Sequence, residues 1–135
     1  MDSKFIEAIR VALILSGYLK LSHWNVRGMF FYPYHLLFED LYGKIYTHVD
    51  TLAELASIRG VKIGSEIFDK PPEFVSGDPK SLIDQNLGIL DKYRECLEEL
   101  LSEVESSNTT KSTSITVETL LATLDNVQYL LEASL

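Results

Sequence analysis

His23-Trp24-Asn25-Val26-Arg27-Gly28 closes one apolar stretch of the chain, and Asp50-Thr51-Leu52-Ala53-Glu54 lies inside the next. All three histidines of the chain fall between residues 23 and 54, and the apolar residues around them recur at the spacing of an amphipathic helix. A hydrophobic core does not need several metal-binding side chains at helical intervals. The region therefore predicts a metal site between helices, formed by His23, His35, Glu39, Asp50 and Glu54.

The composition limits the class of protein. With 135 residues, the chain is long enough for one continuous core, and we expect residues 1–135 to form a single domain. A formal charge of −8 argues against DNA binding, because affinity for phosphates comes from clustered Lys and Arg. The single cysteine, Cys96, excludes an internal disulfide. Because we find neither a signal peptide nor a long apolar run, we predict a cytoplasmic protein without membrane contact.

Apolar periodicity predicts two helices in the first half of the chain. The first begins near Lys4, with Ser3 as its N-cap, and ends at Gly28. It is apolar on nearly all sides, which predicts that it packs both in its own core and against a partner subunit. The second helix has Pro33 in its first turn and ends at Gly60.

The second half of the chain predicts two more helices behind a long connector. Val61 to Gly77 is too long for a tight turn, and Ser65 to Phe68 forms a short helical turn inside it. Asp78-Pro79 provides the cap and first residue of a third helix. Ser106 to Ser114 is a polar turn, and Thr116 caps the fourth helix.

Four helices, without strand-like alternation, predict an all-α fold. The long middle connector indicates a four-helix bundle with one crossover connection that carries a short helix, which is the ferritin-like arrangement. A di-iron site inside one such subunit needs Glu-x-x-His pairs on two helices. The sequence contains no Glu followed three residues later by His, so this type of site is absent.

Helical geometry divides the candidate ligands into two pairs. On an ideal helix, Glu39, Asp50 and Glu54 all fall within about 100° of His35, on one face. Along the axis, however, Glu39 and Asp50 are about 16 Å apart. A single ion with bonds of about 2 Å cannot join both pairs within one helix.

Two arrangements resolve this separation. Either the two pairs are unrelated, or the second helix packs antiparallel against its own copy across a two-fold axis near Lys44 and Ile45. The second arrangement brings the first pair of one chain opposite the second pair of the other, with His23 completing each of two identical sites. Imidazole and carboxylate ligands suit iron, with zinc or manganese as substitutes.

These residues resemble a known protein family. The run from His23 to Gly28, His35 twelve positions after His23, and the Asp50-x-x-x-Glu54 spacing resemble the DNA-protection-during-starvation (Dps) proteins, or mini-ferritins. The segment Tyr129 to Leu135 is similar to the closing helix of that family. The resemblance implies a four-helix subunit that assembles through two-fold dimers into a hollow twelve-subunit homo-oligomer.

The resemblance also implies an activity, which is ferroxidase-type oxidation of Fe(II), commonly by hydrogen peroxide, followed by storage or detoxification of the iron. His23 and His35 match the two histidine ligands of the family. Asp50 and Glu54 match the carboxylates that the two-fold partner provides. Glu39 stands where the family usually has Asp.

Some residues depart from the family pattern and leave a second function open. Leu55 replaces the Arg that commonly follows the last ligand, and the turn at 106–114 carries Lys111 instead of acids. These departures favour a non-enzymatic structural or assembly protein with a degenerate metal site. Trp24 is interpreted either as packing beside the site or as an electron donor during oxidation. His48 falls off the proposed face and is interpreted as an ordinary residue.

Overall fold

The computed structural model describes residues 2–107 and 111–135, which form four long helices and one short helix. The elements are α1 (Asp2–Asn25), α2 (Phe31–Ile58), a 3₁₀ helix (Ser65–Phe68), α3 (Pro79–Ser106) and α4 (Lys111–Ala133). This order confirms the predicted all-α bundle, in which one long crossover connection carries a short helix. In the part of the chain that the structure describes, no helix has the length and apolarity needed to cross a membrane.

Two predicted helix ends are confirmed by their hydrogen bonds. The Ser81 amide donates to Asp78 Oδ1 at 2.8 Å, so Asp78 is the N-cap of α3. At the other end of the crossover, Gly60 has φ of +79° just after α2. The Val61 amide bonds to the Ala56 carbonyl at 2.9 Å, which is the Schellman pattern that a left-handed glycine permits.

Other predicted boundaries are wrong. The first helix begins at Asp2, so Ser3 lies inside it, and it ends at Asn25 instead of Gly28. The fourth helix begins at Lys111, five residues before Thr116. Thr116 does not cap it, because its hydroxyl donates to the Ser112 carbonyl at 2.9 Å within the helix.

The first turns of α4 are helical although they consist of polar residues. Their Ser and Thr hydroxyls bond to carbonyls three or four residues back, and Thr113 is buried. Of the predicted polar turn at 106–114, residue 106 therefore belongs to α3 and residues 111–114 belong to α4. Its residues 108–110 lie outside the described part of the chain.

The four helices surround one apolar core. Helix α1 packs against α2 and α3, and α4 packs against α3 and α2. The largest fully buried side chains come from the first three helices and include Phe5, Leu15, Phe38, Ile45, Leu82 and Tyr93. Because α1 and α2 run antiparallel, the end of α1 lies beside the start of α2, and this positions the candidate site.

A polar pair lies inside this core. His48 is 2% exposed, and its Nδ1 lies 2.9 Å from the Tyr93 hydroxyl. His48 Nε2 has no hydrogen-bond partner among the described residues. Burial lowers the pKa of His48 from 6.5 to about 4, because the core disfavours the charged imidazolium. His48 is therefore neutral in the folded protein and separate from the face that carries the candidate ligands.

This buried histidine predicts a loss of stability in acid. Between about pH 6.5 and pH 4 the unfolded chain binds a proton at His48 that the folded protein does not. Above pH 6.5 the burial of His48 costs no stability, because the residue is neutral in both states. As the pH falls to 4, the free energy of unfolding decreases by up to about 3 kcal/mol. A His48→Gln variant should lose less stability over this range, as measured by urea unfolding at several pH values. Parallel curves for the two proteins would contradict the assignment.

Candidate metal site between the first two helices

The short turn between α1 and α2 brings two histidines together. His23 lies in the last turn of α1, and His35 lies near the start of α2. Their rings stack with centroids 3.7 Å apart and planes inclined by 19°. Phe31 also packs against His35, with the two ring centroids 4.8 Å apart. The sequence prediction that His23 and His35 belong to one site is consistent with this placement.

Reciprocal hydrogen bonds hold the two imidazoles. His23 Nδ1 lies 2.7 Å from the His35 carbonyl oxygen, and His35 Nδ1 lies 2.8 Å from the His23 carbonyl oxygen. A carbonyl oxygen can only accept, so each Nδ1 must carry the hydrogen and donate it. A neutral imidazole held in this way presents the lone pair of Nε2, which is the form in which histidine binds a metal ion.

Glu39 lies one turn after His35 and faces the same space. Its Oε2 atom is 3.2 Å from His23 Nε2. His23 Nδ1 already donates its hydrogen to a carbonyl, so in a neutral ring Nε2 carries a lone pair and no hydrogen. That lone pair and those of the carboxylate oxygen repel each other. A proton on Nε2 or a cation beside both atoms removes this repulsion. The contact between His23 and Glu39 is therefore favourable only with a positive charge beside it.

Lys20 contacts the same carboxylate oxygen and was missed by the sequence analysis. Its Nζ atom lies 2.7 Å from Glu39 Oε2. The hydrogen bond from Lys20 holds the pKa of the Glu39 carboxyl below its usual range, and its attraction to Lys20, His23 and His35 lowers the pKa further. The spacing in the sequence could have identified Lys20, because it precedes His23 by three residues and therefore lies on the same face of the helix.

Asp50 and Glu54 do not join these residues within one chain. Both are exposed on α2, and Asp50 lies about 16 Å along the helix axis from Glu39. Neither has an ion pair or side-chain hydrogen bond with another described residue. In the described ranges of a single chain, no three His, Cys, Asp or Glu side chains are arranged to hold a metal ion. The structure therefore places His23 beside both His35 and Glu39, without converging the three on one metal position, and leaves the Asp50–Glu54 pair free to face another molecule.

Trp24 lies beside the site but does not seal it. Its side chain is 57% exposed, and the Lys20 ammonium lies 5.8 Å from its ring centroid. The Lys20 ammonium also lies 4.7 Å from the ring of Tyr42 on α2. Both aromatic faces attract the ammonium group and help to keep it beside Glu39.

The fold and this contact define a class, a four-helix bundle with imidazole and carboxylate side chains brought together where two helices meet. Comparison with known families agrees, because the profile of the ferritin-like domain matches residues 6–135. The chain belongs to the ferritin-like family. Within it, the resemblance to Dps proteins is supported by a "DNA protection during starvation protein" from Brevibacillus brevis, 47% identical over 51 residues. That match spans 36% of this chain and only 34% of the relative's length.

Solved structures of Dps proteins share the fold. Dps from Thermosynechococcus elongatus superposes with a TM-score of 0.88 at 16% identity, over 98% of this chain and 87% of that one. Dps from Microbacterium arborescens, described in its high iron form, gives 0.86 at 18% identity, over 98% and 90%. A Dps protein from Bacillus brevis gives 0.84 at 20% identity, over 98% and 92%. At these identities the similarity establishes the ferritin-like fold alone.

The reciprocal hydrogen bonds predict the tautomers of both site histidines. In metal-free protein above the pH at which the rings are protonated, His23 and His35 should carry hydrogen on Nδ1 and none on Nε2. Two-bond ¹H–¹⁵N NMR spectra distinguish the two nitrogens of each ring directly. Hydrogen on Nε2 of either residue would contradict this arrangement.

Proposed function

We propose that this chain is a mini-ferritin subunit that oxidises Fe(II) at sites shared across a two-fold dimer, and so stores or detoxifies iron. In each site, His23, His35 and Glu39 come from one chain, and Asp50 and Glu54 come from its copy. The observation that carries the proposal is the stacked pair His23 and His35, each held through Nδ1, with His23 Nε2 beside the Glu39 carboxylate.

The positions of the ligands on α2 support a two-fold arrangement. Two pairs of positions on α2 have the same midpoint, which lies between Lys44 and Ile45. The pairs are His35 with Glu54 and Glu39 with Asp50. When two copies of α2 cross antiparallel at that point, each pair becomes a pair of neighbours across the interface. Asp50 and Glu54 of one chain are then within reach of His35 of the other, and His23 is stacked on that His35.

The exposed face of α2 also suits contact with a copy. Leu36 and Tyr46 are 48% and 51% exposed on the same side as Asp50 and Glu54. Gly43 leaves open space, since an added Cβ would meet no atom within 4 Å. The midpoint between Gly43 and Tyr46 is this same point of α2. In an antiparallel pair of helices, the Tyr46 ring of one chain can therefore pack over Gly43 of the other.

The chemistry follows from this ligand set. Three carboxylates and two imidazoles stabilise Fe(III) more than Fe(II), because anionic oxygen ligands favour the higher charge. With hydrogen peroxide as oxidant, two Fe(II) ions each lose one electron. The peroxide takes up both electrons and two protons and leaves as two water molecules. The protein provides the negative charge and the open coordination positions.

Assembly of the dimers into a twelve-subunit shell is part of the same proposal, and it rests on the Dps resemblance. The apolar residues exposed outside the α2 face, among them Met29, Ile58 and Tyr129, support further contacts between subunits. Leu55 is half-buried in the subunit, and it does not provide the charged contact that Arg gives at this position in the resembling family.

Mixing two inactive variants tests the shared site. His35→Ala and Asp50→Ala should each abolish Fe(II) oxidation, because each removes one ligand from every site. In a mixed dimer, one of the two sites combines intact ligands from both chains. Random refolding of equal amounts should therefore restore about a quarter of the wild-type sites, measured as the initial rate of Fe(III) formation with peroxide.

A matched control mixes His35→Ala with His23→Ala. Both changes lie in the same half of the site, so every site in every mixed dimer lacks one histidine and no activity should return. Equal recovery in the two mixtures, or no recovery in either while dimers form, would show that the site is not divided between chains.

The competing function is a structural or assembly protein that no longer oxidises iron. The Lys20–Glu39 ion pair favours it, because a resident ammonium group neutralises a carboxylate that iron would need. In that case the wild-type protein would form the dimer but would not oxidise Fe(II) faster than buffer does.

A further inference from the structure

A cavity lies between the crossover connection and the groove that α1 and α3 form. Its volume is about 420 Å³, which is within the range of small-molecule sites. Val11 and Ile14 of α1 and Ile89 of α3 give the cavity an apolar floor. None of the described residues that line it lies on α2, so the cavity is separate from the proposed dimer face.

A glycine keeps the α3 side of this cavity open. Gly88 lines the cavity from within α3, although glycine is less favourable than alanine inside a helix. A Cβ atom at this position would meet no atom within 4 Å. A larger side chain at position 88 therefore has room to occupy the cavity without displacing its walls.

Two polar contacts hold the crossover connection over the cavity. Arg10 Nη1 donates to the Asp69 carbonyl at 2.8 Å. Further along, the side-chain amide of Gln85 forms two hydrogen bonds with the backbone of Val75, of 3.1 and 3.0 Å. Residues 70–73 span the distance between these contacts, and two prolines among them restrict the backbone. The roof of the cavity is therefore fixed at both ends, as in a preformed ligand site.

The rim of the cavity is positively charged, on a chain whose formal charge is −8. Arg10 is paired with Glu7, since its Nη2 atom lies 2.7 Å from Glu7 Oε1. Lys70 and Lys92 are exposed at the rim, without a side-chain hydrogen bond or ion pair to another described residue. Among the described lining residues, Glu73 alone carries a carboxylate. Two unpaired lysines and one carboxylate leave a single positive charge.

We propose that this cavity binds a medium-chain fatty acid, with its alkyl chain on the apolar floor and its carboxylate at Lys70 and Lys92. The floor suits the chain, because removal of apolar surface from water drives binding. The rim suits one carboxylate and disfavours a cation of the same shape. The proposal does not depend on the proposed iron oxidation, because it concerns another face of the subunit and requires no metal ion.

Titration with two ligands of equal length tests the proposal. The protein is titrated with octanoate and, separately, with octan-1-ol, which has the same alkyl chain and no charge. Calorimetry measures the affinity, and backbone-amide NMR spectra locate the ligand. Wild-type protein should bind about one octanoate per subunit, with shifts confined to residues 70–75 and the turns around Gly88. It should bind octanol about tenfold more weakly, because octanol is not attracted to the lysines.

Filling the cavity tests its location. Gly88→Leu should weaken the binding of both ligands at least about tenfold, because the leucine side chain takes the space of the alkyl chain. Gly88→Ala is the matched control, since it also removes the glycine but adds a single methyl group. It should keep the affinity for both ligands within about threefold of the wild type.

Removing single charges tests the position of the carboxylate. Lys70→Gln and Lys92→Gln should each weaken octanoate binding about two- to fivefold and leave octanol binding unchanged. Lys80→Gln is the matched control, because Lys80 lies on α3 about 18 Å from Lys92 along the helix axis and is paired with Asp84 at 3.1 Å. It should match the wild type with both ligands.

Three results would overturn the proposal. Wild-type protein that does not bind octanoate, or a folded Gly88→Leu variant that binds it as tightly as the wild type, would show that the cavity is not the site. Amide shifts on the exposed apolar residues of α2 would show that octanoate adsorbs to another surface. Equal effects of Lys70→Gln, Lys92→Gln and Lys80→Gln would show that the rim does not recognise the carboxylate. If Gly88→Leu does not fold, the amide shifts and the lysine variants still decide.

Discussion

The rise of an α-helix imposes the constraint on which the rest of this structure depends. Along α2, the His35–Glu39 pair and the Asp50–Glu54 pair are about 16 Å apart, too far for one ion to join them. All four residues nevertheless lie on one face, and the two pairs are placed symmetrically about a point between Lys44 and Ile45. An antiparallel copy of the same helix is the simplest object that brings them together. Function in this account belongs to the dimer, and each subunit carries two unlike halves of a site.

Within one chain, hydrogen bonds hold the side chains of the proposed site in place. Each of the stacked imidazoles donates its Nδ1 hydrogen to the other's backbone, so both Nε2 lone pairs are fixed before any metal arrives. Glu39 adds negative charge beside them, and Lys20 partly offsets it. The proposed site therefore has two oriented imidazoles and a carboxylate whose charge is partly neutralised by Lys20.

The sequence predicted the helices well because their signals are local. The Asp78-Pro79 cap, Gly60 and the short helix at 65–68 depend on neighbouring residues alone. The start of α4 was predicted five residues late, since Ser and Thr hydroxyls that satisfied helical carbonyls were interpreted as turn residues. The proximity of His23 and His35 followed from a short turn between antiparallel helices. Their reciprocal bonds and the Lys20 contact depend on the rotation of α1 against α2 and on rotamers, which spacing does not determine.

The most direct test of the shared site is the position of the metal. Crystals soaked anaerobically in Fe(II) can be measured at the iron absorption edge, where an anomalous map locates iron without reference to the protein. The account predicts a peak about 2.0–2.3 Å from Nε2 of His23 and of His35 in one chain, with Asp50 and Glu54 of a two-fold copy bound to the same ion. Iron bound by residues of one chain alone, or a ligand face of α2 turned to solvent with no iron, would contradict it.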